Sequence, residues 1–152
     1  MMGKEALSSA FSEMILEEAK KDKDIVVVCT DSRGSAKLGA YPDEVPEQFV
    51  EMGIAEQNSV TVSAGMAYMG KKVFTIGPAS FYSMRSAEQV KVDVAYSHNN
   101  VTVIGISGGI SYGALGATHH SLQDISLMRA IPGLTVMIPS DAVQMRKITK
   151  EL

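Results

Sequence analysis

Ile25-Val26-Val27-Val28-Cys29 is the stretch that decides the fold. It is continuously apolar and mostly β-branched, a pattern that predicts a strand buried on both faces, as in a parallel sheet. Residues 6–21 before it carry apolar side chains three or four positions apart, which predicts an amphipathic helix. Residues 30–46 after it contain two glycines and two prolines, so a long loop should leave the carboxyl end of the strand.

The rest of the chain alternates between strand-like and helix-like segments. Strands are predicted at 49–52, 72–76, 101–106 and 134–138, and helices at 55–69, 84–96, 122–129 and 142–152. This alternation predicts an α/β fold with a mostly parallel sheet and helices on both faces. Neither an internal repeat nor a linker is evident, so residues 1–152 are expected to form a single domain. The last helix reaches Leu152 without a glycine cap, which favours a fragment that lacks a following C-terminal domain.

Composition narrows the class of protein. The 152 residues carry 14 Lys and Arg against 17 Asp and Glu, with no basic run, so nucleic-acid binding has no support. The single cysteine, Cys29, excludes an internal disulfide and fits a reducing compartment. No apolar run approaches the roughly 20 residues of a membrane span, and the segment that starts at Met1 does not resemble a signal peptide. We therefore expect a soluble cytoplasmic domain without membrane contact.

Polar or glycine-rich segments follow the predicted strands, at 31–35, 53–58, 77–82 and 107–120. Ligands of open parallel sheets bind beyond the carboxyl ends of the strands, so a site built from these segments is expected. The sharpest feature is Glu56, in the first turn of a helix directly after a strand. A glutamate there complements the helix dipole, but a partly buried one can also hold a proton for a ligand nitrogen.

The glycine-rich segment offers a second candidate. Residues 105–120 contain five glycines, which let the backbone approach a ligand closely, and they end in His119 and His120. No metal site is predicted, because the only other histidine is His98 and no carboxylate lies at ligand spacing. A phosphate-binding Walker loop is excluded, because no Gly-Lys-Ser/Thr follows the glycines. A lone loop histidine also suits a plain surface role.

Two aromatic residues, Phe81 and Tyr82, follow the strand predicted at 72–76. They suit core packing, and they also suit stacking on a flat heterocycle. Arg85 and Ser35 are candidate anion contacts, each of them weak as a single residue.

Taken together, these segments resemble the pyrimidine-binding domain of transketolases over nearly the whole chain. Residues 49–58 (FVEMGIAEQN) are similar to the family's Gly-Ile-Ala-Glu-Gln motif. Residues 116–120 (GATHH) are similar to its Gly-Pro-Thr-His loop. Residues 127–136 and 139–141 are similar to its Leu-Arg-x-Ile-Pro-Asn stretch and its Pro-x-Asp. Order and spacing agree across these motifs.

The resemblance implies thiamine diphosphate bound between two domains from different protomers. Glu56 would contact the pyrimidine ring nitrogen and share a proton with it, Phe81 would pack on the ring, and Asp31 would lie near the cofactor. His119 would contact the substrate by hydrogen bonding or proton transfer. The catalytic roles therefore fall to Glu56 and His119. The substrate contacts that the resemblance implies are Ser35, Ser107 and His119.

Two positions depart from the family pattern. Transketolases that act on sugar phosphates usually carry a histidine and an aspartate where this chain has Ser107 and Leu115. One of the two phenylalanines near the cofactor is also missing. Because the aspartate helps to recognise a donor hydroxyl group, two alternatives stay open: a divergent substrate, and a protein that binds the cofactor but is catalytically weak.

The chain also lacks the Gly-Asp-Gly metal motif of the family's diphosphate-binding half. The resemblance therefore implies a partner subunit that holds Mg²⁺ and the diphosphate, without which this chain would be inactive. A start at Met1 directly before the domain fits the C-terminal subunit of such a two-subunit transketolase. A homodimer through this domain is expected, because each site needs surfaces from two protomers.

The leading interpretation is ketol transfer between sugars or sugar phosphates. A deoxyxylulose-phosphate synthase is a close alternative, because that family also has a Thr-His-His loop. The β subunit of a 2-oxo-acid dehydrogenase is a further alternative, although its motifs resemble this sequence less. A non-catalytic assembly module is the alternative from a different functional class.

Overall fold

Four parallel strands form the sheet of the computed structural model, which describes residues 5–152. They are β1 (Ile25–Cys29), β2 (Phe49–Glu51), β3 (Lys72–Pro78) and β4 (Val101–Ile106), in the spatial order β2-β1-β3-β4. β1 is paired on both sides and all five of its residues are buried, as its unbroken apolar run predicts. The inferences from the start at Met1 fall on residues 1–4, which lie outside the described range.

The helices are α1 (Leu7–Lys21), α2 (Tyr41–Glu44), α3 (Glu56–Tyr68), α4 (Ala87–Gln89), α5 (Asp124–Arg129) and α6 (Ala142–Glu151). Two π-helical segments, Phe81–Arg85 and Val90–Tyr96, lie on either side of α4. Short 3₁₀ turns lie at Pro46–Gln48 and Gly113–Leu115. None of the helices within residues 5–152 is long and apolar enough to cross a membrane.

The two faces of the sheet are covered by different helices. Alternate residues of a strand point to opposite faces. Accordingly Val27 and its odd-numbered neighbours in β1 share a core with Phe11 and Ile15 of α1. Val28 lies in a second core, against which Met66 of α3 packs. The predicted α/β fold with helices on both faces is confirmed.

The connections of the strands create a crevice at one edge of the sheet. From β1 the chain moves outward to β2, and from β3 it moves outward in the other direction to β4. The carboxyl ends of β1 and β3 are therefore neighbours whose loops diverge, and this is where open parallel sheets bind ligands.

One predicted strand, 134–138, is wrong. The segment pairs with none of the described strands, and Met137 and Ile138 are 42% and 66% exposed. A strand needs a neighbour to satisfy its backbone N–H and C=O groups, and apolar content alone does not supply one. Leu134 instead packs against the cluster that contains Val90 and Val94.

Two further differences concern helices. The helix predicted at 84–96 begins earlier, at Phe81, and is largely π-helical, because apolar spacing does not distinguish a π-turn from an α-turn. The loop predicted at 30–46 contains the short helix α2. The predicted N-cap of α6 is confirmed, since the Gln144 N–H donates to Asp141 Oδ1 at 2.8 Å.

Candidate active site

Glu56 is the first residue of α3 and lies at the crevice end of the sheet. The chain enters α3 from β2 through Gly53, whose φ of +67° is a conformation that suits glycine. Glu51 Oε1 accepts hydrogen bonds from the N–H groups of Asp31 (2.8 Å) and Gly53 (3.1 Å), which ties the loops after β1 and β2 together. Glu56 itself is buried, with only 2% of its surface exposed.

The carboxylate of Glu56 is paired with Arg85. Arg85 Nη1 donates to Glu56 Oε2 at 2.5 Å, although the two residues are 29 positions apart. The same guanidinium lies over the ring of Phe81, with its central carbon 4.2 Å from the ring centroid. Phe81 and Arg85 are the first and last residues of a π-helical segment, a local geometry often found at functional sites. The carboxylate, the guanidinium and the aromatic ring thus form one cluster.

A buried ring of three hydroxyl groups lies next to this cluster in the fold. Ser59 Oγ is 2.7 Å from Thr75 Oγ1 and 2.9 Å from the Tyr82 hydroxyl, and the last two are 2.8 Å apart. Burial raises the pKa of Tyr82, so its phenol keeps the proton that such a ring requires. The three residues belong to α3, β3 and the π-helical segment after β3, and they therefore fix the helix that carries Glu56 against the segment that carries Phe81 and Arg85.

His119, in the loop after β4, packs against two aromatic rings. Its ring meets Phe81 at 5.1 Å between centroids and Tyr112 at 5.9 Å, both nearly edge to face. Thr118 Oγ1 is 3.0 Å from His119 Nδ1. His119 is therefore held mainly by aromatic edges.

A groove of about 540 Å³ opens beside these residues. It is lined by Ser80, Phe81, Met84, Arg85, Ala117, Thr118, His120 and Gln123. Its volume lies in the usual range for small-molecule sites. Within residues 5–152, Ser80 Oγ and His120 Nε2 are buried without a hydrogen-bond partner. The groove thus combines the aromatic ring of Phe81 with unpaired polar atoms, a lining that suits a small ligand with hydrogen-bonding edges.

The structure brings together three of the predicted site residues, Glu56, Phe81 and His119. It does not bring the other three, Asp31, Ser35 and Ser107, into that cluster. Asp31 and Ser35 are exposed after β1, and Ser107 is half-buried after β4, with φ values of +50° for Asp31 and +56° for Ser107. None of these three side chains makes a hydrogen bond within the described residues.

Three residues of the site were not predicted in the roles they have. Arg85 was considered only as a weak candidate for an anion contact, and its pairing with the Glu56 carboxylate was not predicted. Tyr112 and Glu51 were assigned no role. Only the position of Glu51 inside the motif at 49–58 could have indicated its part in joining two loops.

Neither a metal site nor a reactive thiol is found among the described residues. Within residues 5–152, no group of three or more His, Cys, Asp or Glu side chains is placed to hold a metal ion. Cys29 is buried, and burial raises the pKa of its thiol, which leaves it unreactive.

Comparison with known families agrees with this geometry. The family model described as "Transketolase, pyrimidine binding domain" matches residues 4–152. The chain belongs to the transketolase family. Within that family, it is 58% identical over 147 residues to an apulose-4-phosphate transketolase subunit of Phocaeicola vulgatus, a match that covers 97% of this chain and 47% of that protein. The chain thus spans about half the length of this transketolase subunit.

Two further relatives place it within the family. A solved structure described as "Split gene transketolase, inactive beta4 tetramer" superposes with a TM-score of 0.86 at 34% identity, covering 98% of this chain and 48% of the other. The 1-deoxy-D-xylulose-5-phosphate synthase of Listeria monocytogenes is 36% identical over 141 residues, covering 93% of this chain and 23% of the enzyme. The resemblance to the pyrimidine-binding domain, and in particular to the C-terminal subunit of a two-subunit transketolase, is confirmed.

Proposed function

We propose that this domain supplies the pyrimidine-binding half of a thiamine-diphosphate-dependent transferase that moves a ketol group between sugars or sugar phosphates. The observation that carries the proposal is the buried Glu56 carboxylate in a cluster with the Phe81 ring, beside a groove of suitable volume. Membership of the transketolase family and the similarity to the Phocaeicola vulgatus transketolase subunit support it.

Glu56 and Phe81 are the residues that would hold the cofactor's pyrimidine. The Phe81 face provides a stacking surface, and Glu56 Oε2 provides the atom at which a proton is shared with a ring nitrogen. When bound, thiamine diphosphate supplies a nucleophilic carbon and an electron sink, while the protein supplies orientation and that one proton. Burial of Glu56 excludes water from the shared proton.

His119 is proposed as the catalytic residue on the substrate side, where it donates or accepts a proton at an oxygen of the sugar. Its edge-to-face contact with Phe81, at 5.1 Å between ring centroids, supports this role, because Phe81 is the proposed stacking surface for the pyrimidine. We further propose that Ser35 and Ser107 contact the substrate and that Asp31 lies near the cofactor. All three sit on loops at the carboxyl ends of β1 and β4.

The remaining parts of the enzyme are proposed to come from other chains. A diphosphate-binding partner subunit would hold Mg²⁺ and the diphosphate, because this chain has no Gly-Asp-Gly motif. Similarity to a protein that is itself named as one subunit of a transketolase supports such a partner. A homodimer through this domain and a cytoplasmic location complete the proposal, with activity only in the assembled complex.

A deoxyxylulose-phosphate synthase activity is the second candidate. The specific observation in its favour is the Thr118-His119-His120 sequence together with the similarity to the Listeria monocytogenes synthase. Product analysis separates the candidates. Ketol transfer yields a new ketose from a ketose donor without loss of carbon dioxide, whereas the synthase consumes pyruvate and releases carbon dioxide.

The experiment that tests the proposal is Glu56→Gln in the full-length protein assembled with the chain that copurifies with it. The substitution keeps the shape of the side chain and removes the proton-sharing carboxylate, so we expect turnover to fall on the order of 1,000-fold with little change in thermal stability. Glu17→Gln, on the exposed face of α1, is the matched control and should keep full activity. Unchanged turnover in Glu56→Gln would remove the proposed mechanism and favour an assembly module.

A further inference from the structure

Arg85 makes two contacts at once, and both are contacts that a bound pyrimidine would need. Its Nη1 lies 2.5 Å from Glu56 Oε2, and its guanidinium carbon lies 4.2 Å from the centroid of the Phe81 ring. Arg85 is also the only side chain within residues 5–152 that hydrogen-bonds to the Glu56 carboxylate.

A guanidinium group and an aminopyrimidine edge are chemically alike. Both are planar, both present N–H donors in the plane, and both stack on an aromatic face. The carboxylate of Glu56 and the face of Phe81 together would therefore recognise either group.

The exposure of the two partners shows which of them can move. The Glu56 side chain is 2% exposed and sits at the start of a helix that the Ser59 hydroxyl fixes to the sheet. The Arg85 side chain is 41% exposed and lines the open groove. The long arginine side chain can thus rotate into solvent while Glu56 stays in place.

We propose that Arg85 is an internal competitor for the pyrimidine subsite: its guanidinium fills the subsite between Glu56 and Phe81 in the cofactor-free protein and leaves when the pyrimidine binds. This inference rests on the function proposed above, and it gives Arg85 a positioning role. Arg85 keeps the buried carboxylate of Glu56 paired while the subsite waits for the cofactor, since an unpaired buried charge is costly.

The competitor has a measurable consequence for cofactor affinity. Only molecules in which Arg85 has left the subsite can bind the pyrimidine, so the apparent dissociation constant equals the intrinsic one divided by the fraction that is open. Removing the guanidinium raises that fraction and tightens binding. Simple electrostatics predicts the opposite sign, because the cofactor is an anion and loss of a positive charge should weaken its binding.

The test is titration calorimetry of thiamine diphosphate with Mg²⁺ into the cofactor-free assembled complex. Arg85→Met removes the charge and the N–H donors while keeping an unbranched side chain. We expect it to lower the dissociation constant on the order of tenfold. Arg85→Lys keeps a positive charge beside Glu56, so it serves as a second variant in case Arg85→Met does not fold. Because lysine lacks the planar guanidinium group that stacks on Phe81, we expect it to tighten cofactor binding by about threefold. Arg129→Met, an exposed arginine of α5, is the matched control for charge and should bind like the unaltered protein or slightly more weakly.

The outcomes separate this inference from the proposed function. Tighter binding by both Arg85 variants, with Arg129→Met unchanged, supports the competitor. A second outcome is that the unaltered complex binds thiamine diphosphate and that both Arg85 variants bind it with equal or weaker affinity. Arg85 would then be a ligand of the cofactor or a static element, which overturns this inference and leaves the proposed function standing. If the unaltered complex binds no thiamine diphosphate, the proposed function fails together with it.

Discussion

Glu56 and His119 are both connected to Phe81, but the fold holds them very differently. His119 contacts the Phe81 ring directly, whereas Glu56 is linked to it through Arg85. Glu56 is buried at the start of α3, a helix joined to the sheet by the hydroxyl groups of Ser59 and Thr75. His119 lies in a turn-rich loop and is positioned by aromatic edges and by Thr118.

The two ends of the candidate site therefore differ in how firmly the rest of the fold holds their side chains. The end built around Glu56 is fixed by buried packing, which suits the cofactor subsite that we propose there. The end built around His119 sits on a loop that can vary without disturbing the core, and loops of this kind carry substrate specificity. The departures at Ser107 and Leu115 lie in this second part, between β4 and His120.

The largest effect that would sharpen the comparison is expected from His119→Asn. This substitution removes the imidazole from the substrate side, and we expect kcat/KM to fall about 100-fold while the dissociation constant of thiamine diphosphate stays unchanged. His98→Asn is the matched control, because His98 is exposed with a φ of +53° that asparagine tolerates. If His119→Asn also weakened the binding of thiamine diphosphate, the proposed division between a cofactor end and a substrate end would be wrong.

A smaller effect, on stability, is expected from Gly77→Ala on the buried side. A Cβ at Gly77 would lie 2.5 Å from Thr30 Oγ1 and 2.5 Å from Tyr82 Cε2. Tyr82 is held by the hydroxyl ring and cannot easily move, so the free energy of unfolding should fall by about 2 kcal/mol in a urea titration. Gly65→Ala in α3, where nothing lies within 4 Å, should instead raise it by about 0.5–1 kcal/mol. Equal stability of the two variants would show that the hydroxyl ring is not rigid.

The smallest effect is expected from Ser35→Ala on the exposed loop after β1. Loss of one hydroxyl contact to a phosphate group should raise KM for a phosphorylated sugar about threefold, with kcat and thermal stability unchanged. The same sugar without its phosphate group serves as the control and should show no difference in KM. A change in cofactor affinity would instead place Ser35 at the cofactor end.

The sequence predicted the buried side of the molecule well, for a local reason. The apolar run of β1 and the position of Glu56 directly after β2 are readable from adjacent residues. The prediction of a strand at 134–138 was wrong, because strand pairing depends on a neighbouring strand that is distant in sequence. The same limit applies to the site, since the contact between Arg85 and Glu56 joins residues 29 positions apart and exists only once α3 and β3 have packed.

The roles proposed for residues in the loop after β4 could be predicted only from the resemblance to a family. Nothing local in residues 105–120 distinguishes a histidine that contacts substrate from one that is merely on the surface, and Tyr112 gave no signal at all. The aromatic contacts of His119 depend on how the glycine-containing loop folds back towards Phe81, which hydrophobic periodicity does not encode.

Purification of the full-length protein from its own cells tests most directly whether this domain is one half of a thiamine-diphosphate site. Copurifying chains would be identified by mass spectrometry and the eluate assayed for thiamine diphosphate. We expect a stoichiometric partner chain with a Gly-Asp-Gly metal motif and a stoichiometric amount of the cofactor. A single chain that purifies alone, without any thiamine diphosphate, would contradict it.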